Sequence, residues 1–235
     1  MDLLARLAED PPRAALFLDI DGVLAPIVPR PEDASVPDET RRELRRLNER
    51  YGLVACITGR ALEDAIRVVG VPELVYVGNH GIELGPDAAI WADRLAAFLD
   101  RLEWPRVEEK ELGISLHYRG LPDEDAARRE LEEIAARAGE AGFVARFGRK
   151  VLEIMPPWQT NKGTAVRQLI ETHGVRKALY AGDDPTDLDG FRGLDGLELA
   201  VRIAVLSHEG PTALYDAADL TVDGPREFQQ LLRRL

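Results

Sequence analysis

Short apolar runs that alternate with helical segments are the feature that most limits how this chain can fold. The runs lie at residues 15–20, 53–57, 74–77, 177–181, 199–205 and 220–222. Between the first two, Pro37–Arg50 begins with a proline and places Leu44 and Leu47 on one helical face. Lys162–His173 has similar spacing, with Gly174 just beyond its end. Strands that alternate with helices predict a parallel sheet covered on both faces.

The middle of the chain has a different pattern, in which two strand pairs flank one charged helix. These elements are predicted in chain order at residues 107–111, 114–118, 123–138, 143–147 and 151–155. Such a β-β-α-β-β pattern is typical of a small antiparallel sheet backed by a helix. We therefore expect an α/β fold with a Rossmann-like parallel-sheet core over residues 1–83 and 157–235. A smaller α+β cap domain is expected to be inserted at residues 84–156.

Composition limits the partners of this chain of 235 residues. A formal net charge of −12 argues against nucleic acid and anionic membranes, because either partner requires a basic face. The single cysteine, Cys56, lies in an apolar run, which favours a buried small side chain over a reactive thiol. No apolar stretch approaches the ~20 residues that span a bilayer, and the first residues lack the apolar core of a signal peptide. We expect a cytoplasmic monomer that acts on a small molecule.

Two carboxylates follow the first apolar run. Asp19 and Asp21 are one residue apart, and Gly22 permits a sharp turn. Because side chains alternate along a strand, the two can share a site only if the chain leaves the strand between or just after them. Such a turn would place both where open α/β sheets bind ligands. Taken alone, the motif is equally compatible with a solvated Asp-Gly turn.

Polar side chains also stand at the ends of two further predicted elements. Thr58 follows the second apolar run and precedes a helix, so its hydroxyl and the nearby backbone N–H groups could hold phosphate oxygens. Lys162 opens the next core helix, where a lysine is electrostatically disfavoured relative to an acid. A surface lysine is the alternative, but the positive charge would suit an anion.

A cluster of carboxylates follows the apolar run at 177–181. Asp183, Asp184 and Asp187 stand within five residues, and such a concentration of negative charge is costly unless a cation compensates it. Oxygen ligands from Asp19, Asp21 and Asp183 are those that Mg²⁺ prefers. The absence of a Cys or His cluster from the sequence argues against zinc.

Together these four segments resemble the motifs of the haloacid dehalogenase superfamily of aspartate-based phosphatases, and the insert resembles its C2-type cap. The resemblance implies that Asp19 is the nucleophile and that Asp21 is the general acid and then the general base. It implies that Thr58 and Lys162 orient and neutralise the phosphoryl oxygens.

The same resemblance implies a Mg²⁺ site. The carboxylates of Asp19 and Asp183 and the main-chain carbonyl of Asp21 would bind the ion. Asp184 and Asp187 would not bind the ion directly but would hold its ligands in position. The expected cofactor is therefore Mg²⁺.

A more specific resemblance, to the trehalose-6-phosphate phosphatases, extends over nearly the whole chain. The matching segments are 19–28 with Pro31 and Ala34, Gly78-Asn79-His80-Gly81, Glu108-Glu109-Lys110, His117-Tyr118-Arg119, 149–154 and 182–189. The resemblance implies hydrolysis of trehalose 6-phosphate, with cap residues that recognise the disaccharide. The implied substrate-binding residues are Gly59, Arg60, Asn79, His80, Gly81, Glu108, Lys110, Arg119, Arg149 and Glu153. Arg149 departs from the family pattern, which has lysine there, and Lys150 is one place along.

Two other functions stay compatible with the sequence. A related phosphatase acting on sucrose phosphate or mannosyl-3-phosphoglycerate would share every catalytic residue. A catalytically silent domain that binds a sugar phosphate and regulates a partner synthase is the second alternative. The presence of Asp19, Asp21, Lys162 and Asp183 argues against it, since a silent domain need not retain them.

Overall fold

The computed structural model describes residues 2–84, 87–110, 112–148, 150–158, 160–207 and 210–235. The chain divides into two compact units, Met1–Gly81 with Thr160–Leu235, and Ile82–Gln159. The assignment of one unit to catalysis and the other to substrate specificity, with boundaries at residues 84 and 156, stays a prediction.

The strands and helices are numbered in chain order. The strands are β1 (Ala14–Leu18), β2 (Leu53–Ile57), β3 (Val75–Val77), β4 (Val107–Lys110), β5 (Gly113–His117), β6 (Val144–Phe147), β7 (Val151–Met155), β8 (Lys177–Gly182), β9 (Leu199–Leu206) and β10 (Leu220–Asp223). The α-helices are α1 (Leu3–Leu7), α2 (Asp38–Asn48), α3 (Leu62–Val69), α4 (Ala88–Leu99), α5 (Glu124–Glu140), α6 (Lys162–His173), α7 (Asp187–Gly193), α8 (Thr212–Ala217) and α9 (Gly224–Leu232). Within the described residues, no helix combines the length and the apolar character needed to cross a membrane.

The first unit is built on a parallel sheet with the strand order β10-β9-β8-β1-β2-β3. Every residue of β1 and β2 is buried, as expected for central strands covered on both faces. β1 pairs with β2 on one side and with β8 on the other, so the carboxyl ends of these three strands are neighbours. The expected α/β fold with a parallel-sheet core and a smaller α+β part is confirmed.

The end of β1 differs from its predicted position by two residues. The apolar run continues to Ile20, but the strand ends at Leu18 because the chain bends at Ile20. The Asp19 N–H still donates to the Ala181 carbonyl at 3.0 Å, and Gly22 takes a left-handed φ of 74°. The chain therefore bends between the two carboxylates, at Ile20, and turns just after them, at Gly22, as the sequence predicted.

The second unit has an antiparallel sheet with the order β4-β5-β7-β6. Its core forms where one face of the sheet packs against α4 and α5, with Leu131 and Ile134 of α5 among the buried residues. Helix α4 was not predicted from the sequence. Its buried residues are Trp91 and Leu95, and its many apolar residues are spread around the helix instead of forming one stripe. The Trp91 ring packs edge-on against Phe143, with centroids 5.1 Å apart.

Candidate active site

The predicted core motifs converge at the carboxyl edge of the parallel sheet. Asp19 follows β1, Thr58 follows β2, Asp183 follows β8, and Lys162 is the first residue of α6. Lys162 contacts the carboxylates that follow two of these strands, which links three of the four motifs directly. The cluster lies within the first unit.

Asp19 is a buried carboxylate with two partners. Its Oδ1 accepts a hydrogen bond from the Ile20 N–H at 2.8 Å, and its Oδ2 lies 2.9 Å from Lys162 Nζ. Burial raises the pKa of the Asp19 carboxyl well above its usual value, although the Lys162 ammonium acts in the opposite direction. Among the described residues, the cation that favours the ionised form of Asp19 is therefore Lys162. A carboxylate nucleophile requires that ionised form.

Lys162 is placed by the start of α6. The Asn161 side chain accepts from the Thr164 N–H at 2.9 Å, and the Thr164 hydroxyl accepts from the Asn161 N–H at 3.0 Å, which forms a capping box. The Lys162 side chain is 1% exposed. Burial lowers the pKa of its ammonium, but Asp19 and Asp187 outweigh that effect and leave the pKa raised. Lys162 is therefore charged at any pH near neutrality.

Asp187 links the residues of the cluster by accepting hydrogen bonds from four of them. Its Oδ1 accepts from Lys162 Nζ and from the Tyr180 hydroxyl, each at 2.7 Å. Its Oδ2 accepts from the backbone N–H groups of Asp183 and Asp184 at 2.9 and 3.0 Å. Both oxygens are thus engaged, and the residue is completely buried. Tyr180 was not singled out from the sequence, because a tyrosine inside an apolar strand has the pattern of a core residue.

Asp183 is buried with no hydrogen-bond donor to its carboxylate among the described residues. Burial raises the pKa of this carboxyl to about 7, and the charges of Asp187 and Asp184 act in the same direction. One carboxylate oxygen from each of Asp19, Asp183 and Asp187 lies within 4.8 Å of the others. A carboxylate that lacks a partner inside an all-oxygen group fits a hard divalent cation such as Mg²⁺.

Asp21 is held by Arg60 rather than by Lys162. Arg60 Nε donates to Oδ2 of Asp21 at 2.6 Å, and Nη2 donates to Oδ1 at 2.7 Å. Arg60 Nη1 donates to Asp64 and to the Pro31 carbonyl. The sequence predicted a contact between Arg60 and substrate, which stays a prediction. The structure instead engages its guanidinium with two carboxylates of the protein.

Two loops are joined around Thr58. The Thr58 N–H donates to the Val77 carbonyl, and the His80 N–H donates to the Thr58 carbonyl, both at 2.9 Å. The second loop has three consecutive left-handed φ values, 46° at Asn79, 56° at His80 and 87° at Gly81. This conformation costs free energy for the two non-glycine residues, and such strained backbone is typical of functional loops.

Position 59 requires glycine because the His80 ring packs so closely against it that a side chain would not fit. A Cβ at Gly59 would lie 2.8 Å from two atoms of the imidazole. His80 Nδ1 is buried and has no hydrogen-bond partner among the described residues. Burial lowers the pKa of His80, and the Lys162 charge acts in the same direction, so the ring is neutral at pH 7.

The predicted sugar-binding residues lie in the second unit. Glu108 contacts His117 Nε2 at 2.8 Å, and Lys110 Nζ contacts Glu153 at 3.3 Å. Arg119 follows β5, where its carbonyl accepts from Arg106 Nη1. Lys150 Nζ donates to Glu124, and Lys150 has a left-handed φ of 65°. Arg149 lies outside the described residues.

The parallel sheet with a lysine–carboxylate cluster at its carboxyl edge defines the class of fold, which is shared by a haloacid dehalogenase-like hydrolase from Bacteroides thetaiotaomicron at 14% identity and a TM-score of 0.57. The chain matches the trehalose-phosphatase family over residues 17–104 and 88–222, and it belongs to that family. The resemblance found in the sequence is therefore confirmed, as is the prediction of an enzyme of the phosphoric monoester hydrolase class.

Curated proteins that are similar to this chain have names from the same family. Probable trehalose-phosphate phosphatase 2 from Oryza sativa subsp. japonica is 28% identical over 95% of this chain and 68% of its own length. Trehalose-phosphate phosphatase from Mycobacterium avium is 32% identical over 94% of this chain and 61% of its own length. A crystal structure of a trehalose-6-phosphate phosphatase related protein superimposes with a TM-score of 0.59 at 26% identity, covering 93% of this chain and 95% of the other. The chain thus spans about two thirds of the length of these two curated relatives.

Proposed function

We propose that this protein hydrolyses trehalose 6-phosphate to trehalose and phosphate through an aspartyl-phosphate intermediate. Membership of the trehalose-phosphatase family supports the reaction class. The observation that carries the mechanism is the buried contact of 2.9 Å between Lys162 Nζ and Asp19 Oδ2. This contact provides an oxygen nucleophile beside a fixed positive charge, in a place from which water is largely excluded.

In the proposed first step, an Asp19 carboxylate oxygen attacks phosphorus and the sugar alcohol leaves. Lys162 and the Thr58 hydroxyl bind the phosphoryl oxygens and stabilise the charge that they carry in the transition state. In the second step, water attacks the aspartyl phosphate and regenerates Asp19. Because phosphoryl transfer depends mainly on positioning and on charge neutralisation, a rigid cluster of this kind suits it.

Asp21 is the proposed general acid for the departing alcohol and the general base for the water. It is half-exposed, while Asp19 is buried, so the two carboxylates occupy different environments. This difference supports separate roles, because a half-exposed carboxylate can exchange protons with solvent water, which the acid and base steps require, whereas the buried Asp19 is held against Lys162. Arg60 is proposed to fix the position of Asp21 through its paired hydrogen bonds.

The proposed cofactor is Mg²⁺. The residues that would hold it are Asp19 and Asp183 through their carboxylates and Asp21 through its main-chain carbonyl. When bound there, Mg²⁺ would neutralise charge on the phosphoryl oxygens. Asp187 supports the site by holding the N–H groups of Asp183 and Asp184 and the ammonium of Lys162.

The second unit is proposed to be the cap that reads the sugar. Carboxylates of Glu108 and Glu153 can accept hydrogen bonds from sugar hydroxyls, and Lys110 and Arg119 can donate them. Both acids already contact a basic side chain of the same unit, which orients them before substrate arrives.

The test is phosphate release from a panel of sugar phosphates with Mg²⁺. Trehalose 6-phosphate is expected to be the best substrate, ahead of glucose 6-phosphate, sucrose 6-phosphate and mannosyl-3-phosphoglycerate. Fastest turnover of another member would overturn the substrate assignment and leave the phosphatase mechanism standing. Sugar-phosphate binding without any phosphate release would instead support a silent regulatory domain.

The cytoplasmic location and the monomeric state stay predictions. Light scattering after gel filtration measures the mass in solution, and a value near that of one 26.0 kDa chain would agree with a monomer. Fractionation of the cells that make the protein would test its location.

A further inference from the structure

The sheet of the second unit has one face in the apolar core and a second face that carries both polar and apolar side chains. Ile114 and Leu116 of β5, and Leu152 and Ile154 of β7, belong to the core that this sheet forms with α4 and α5. Because side chains alternate along a strand, the residues between them point away from the helices. Ser115 lies on that second face.

The register of the sheet aligns four polar residues across this second face. Glu108 is opposite Ser115, Ser115 is opposite Glu153, and Glu153 is opposite Arg146. Residues directly opposite each other in an antiparallel pair share a face. The four therefore form one row from the β4 edge to the β6 edge. The contact between Lys110 and Glu153 agrees with this arrangement, because Lys110 is two residues from Glu108.

Arg146 is the residue in this row that the sequence did not indicate. Its neighbours Ala145 and Phe147 pack against the apolar core, which directs the Arg146 side chain to the opposite face. Arg146 is exposed. Within the part of the chain that the structure describes, no carboxylate lies within 4.0 Å of its guanidinium nitrogens. Arg146 is therefore available to a ligand.

The sequence resemblance placed a basic residue four positions before Glu153, at Arg149, with Lys150 as the alternative. The Lys150 ammonium is occupied by Glu124, at the first residue of α5. The turn between β6 and β7 brings Arg146 beside Glu153 even though it is seven positions away in the chain. Cross-strand pairing thus gives Glu153 a different basic neighbour from the two that the sequence suggested.

We propose that Arg146 is a specificity-determining residue that binds the sugar part of the substrate. This inference rests on the proposed function, in which the second unit reads the sugar. A guanidinium only donates hydrogen bonds and a carboxylate only accepts them, so Arg146 and Glu153 side by side suit two adjacent hydroxyls of a pyranose ring. One hydroxyl accepts from Arg146 while its neighbour donates to Glu153.

The experiment compares Arg146→Ala and Arg146→Lys with the wild type and with Arg129→Ala. Arg129 is an exposed arginine of α5 in the same unit and serves as the matched control. Each protein is assayed on the sugar phosphate that the wild type hydrolyses fastest and on p-nitrophenyl phosphate, which has no sugar. Melting curves confirm that each variant is folded.

Arg146→Ala should lower kcat/KM on the sugar phosphate about 10-fold, mainly through KM, because a charged hydrogen bond to bound substrate is lost. Arg146→Lys should recover part of that loss. Activity on p-nitrophenyl phosphate should stay within about 2-fold, and Arg129→Ala should match the wild type on both substrates.

Three outcomes overturn the inference. Unchanged sugar-phosphate kinetics in Arg146→Ala, with an active wild type, would refute it and leave the proposed function intact. Equal losses on both substrates would show that Arg146 acts on folding or on the catalytic centre. Failure of the wild type on every sugar phosphate would overturn both the proposed function and this inference.

Discussion

Arg60 holds both carboxylate oxygens of Asp21, with Nε 2.6 Å from Oδ2 and Nη2 2.7 Å from Oδ1. This paired geometry is among the strongest that a carboxylate makes with a side chain. Both oxygens of Asp21 face N–H groups of Arg60, so neither is free to carry a proton towards a leaving group. In the proposed mechanism, at least one of these hydrogen bonds must therefore break before Asp21 acts as an acid.

The first prediction concerns this ion pair. Arg60→Met should lower kcat on trehalose 6-phosphate about 10-fold or more, because general acid catalysis is typically worth 10²–10⁴ and Asp21 would lose its orientation. Activity on p-nitrophenyl phosphate should fall less, since nitrophenolate leaves without protonation. Arg67→Met is the control, because Arg67 contacts Asp64 but not Asp21. Equal losses on the two substrates would contradict a role through Asp21.

The second prediction concerns the nucleophile. Asp19→Asn should abolish turnover on every phosphate ester, because the attacking oxygen loses its charge. The fold should persist, since the change is nearly isosteric. Mass spectrometry of acid-quenched wild type with substrate should place a phosphoryl group on the peptide that contains Asp19. Asp33→Asn, at an exposed ion pair with Arg30, is the control and should keep full activity. Substantial activity in Asp19→Asn would rule out the aspartyl-phosphate route.

The third prediction concerns the metal and has a readout besides activity. Mg²⁺ should raise the melting temperature of the wild type, because a ligand that binds only the folded state stabilises it. Asp183→Asn should reduce this shift and abolish or weaken Mg²⁺-dependent turnover. Asp195→Asn, at an exposed pair with Arg202, should retain both responses. Turnover that survives exhaustive treatment with EDTA would mean that the carboxylate cluster has another purpose.

The sequence predicted the strands that carry the catalytic residues because their apolar runs are continuous and buried. It also predicted both hairpins of the second unit and α6 with its bounds, since Gly174 ends that helix in a left-handed conformation. It failed for α4, where Trp91 and Leu95 are the buried residues and the apolar periodicity is weak. Local patterns identify elements that bury a continuous face, and α4 does not.

The sequence predicted which residues form the site better than it predicted which residues they contact. The D-x-D-G motif suggested that Asp21 faces the substrate, but its observed partner is Arg60, 39 positions away. Tyr180 donates to Asp187 across seven positions and gave no signal in the sequence. Arg146 lies opposite Glu153 only because of the β6–β7 register. Such contacts follow from tertiary packing, and no local pattern encodes them.

The fourth prediction concerns the capping box of α6. Asn161→Ala should lower the free energy of unfolding by about 1 kcal/mol, because the helix loses its N-cap. It should also reduce turnover of p-nitrophenyl phosphate, since Lys162 is the next residue. Asp123→Ala removes a similar cap from α5 and should have a similar cost in stability without that loss of turnover. Urea denaturation and steady-state kinetics measure the two effects.

The last prediction concerns the charge of Lys162, which lies 2.9 Å from Asp19 and 2.7 Å from Asp187. Lys162→Met keeps most of the side-chain volume but leaves these buried carboxylates without a cation. Removing one partner of a buried ion pair typically costs 3–5 kcal/mol, so the unfolding free energy should fall by about 3 kcal/mol or more at neutral pH. Turnover should be lost on both trehalose 6-phosphate and p-nitrophenyl phosphate. Lys177→Met is the control, because its partner Glu9 is half-exposed and such pairs contribute about 0–1 kcal/mol. Similar stability in the two variants, measured by urea denaturation, would show that Asp19 and Asp187 are stabilised by something other than Lys162.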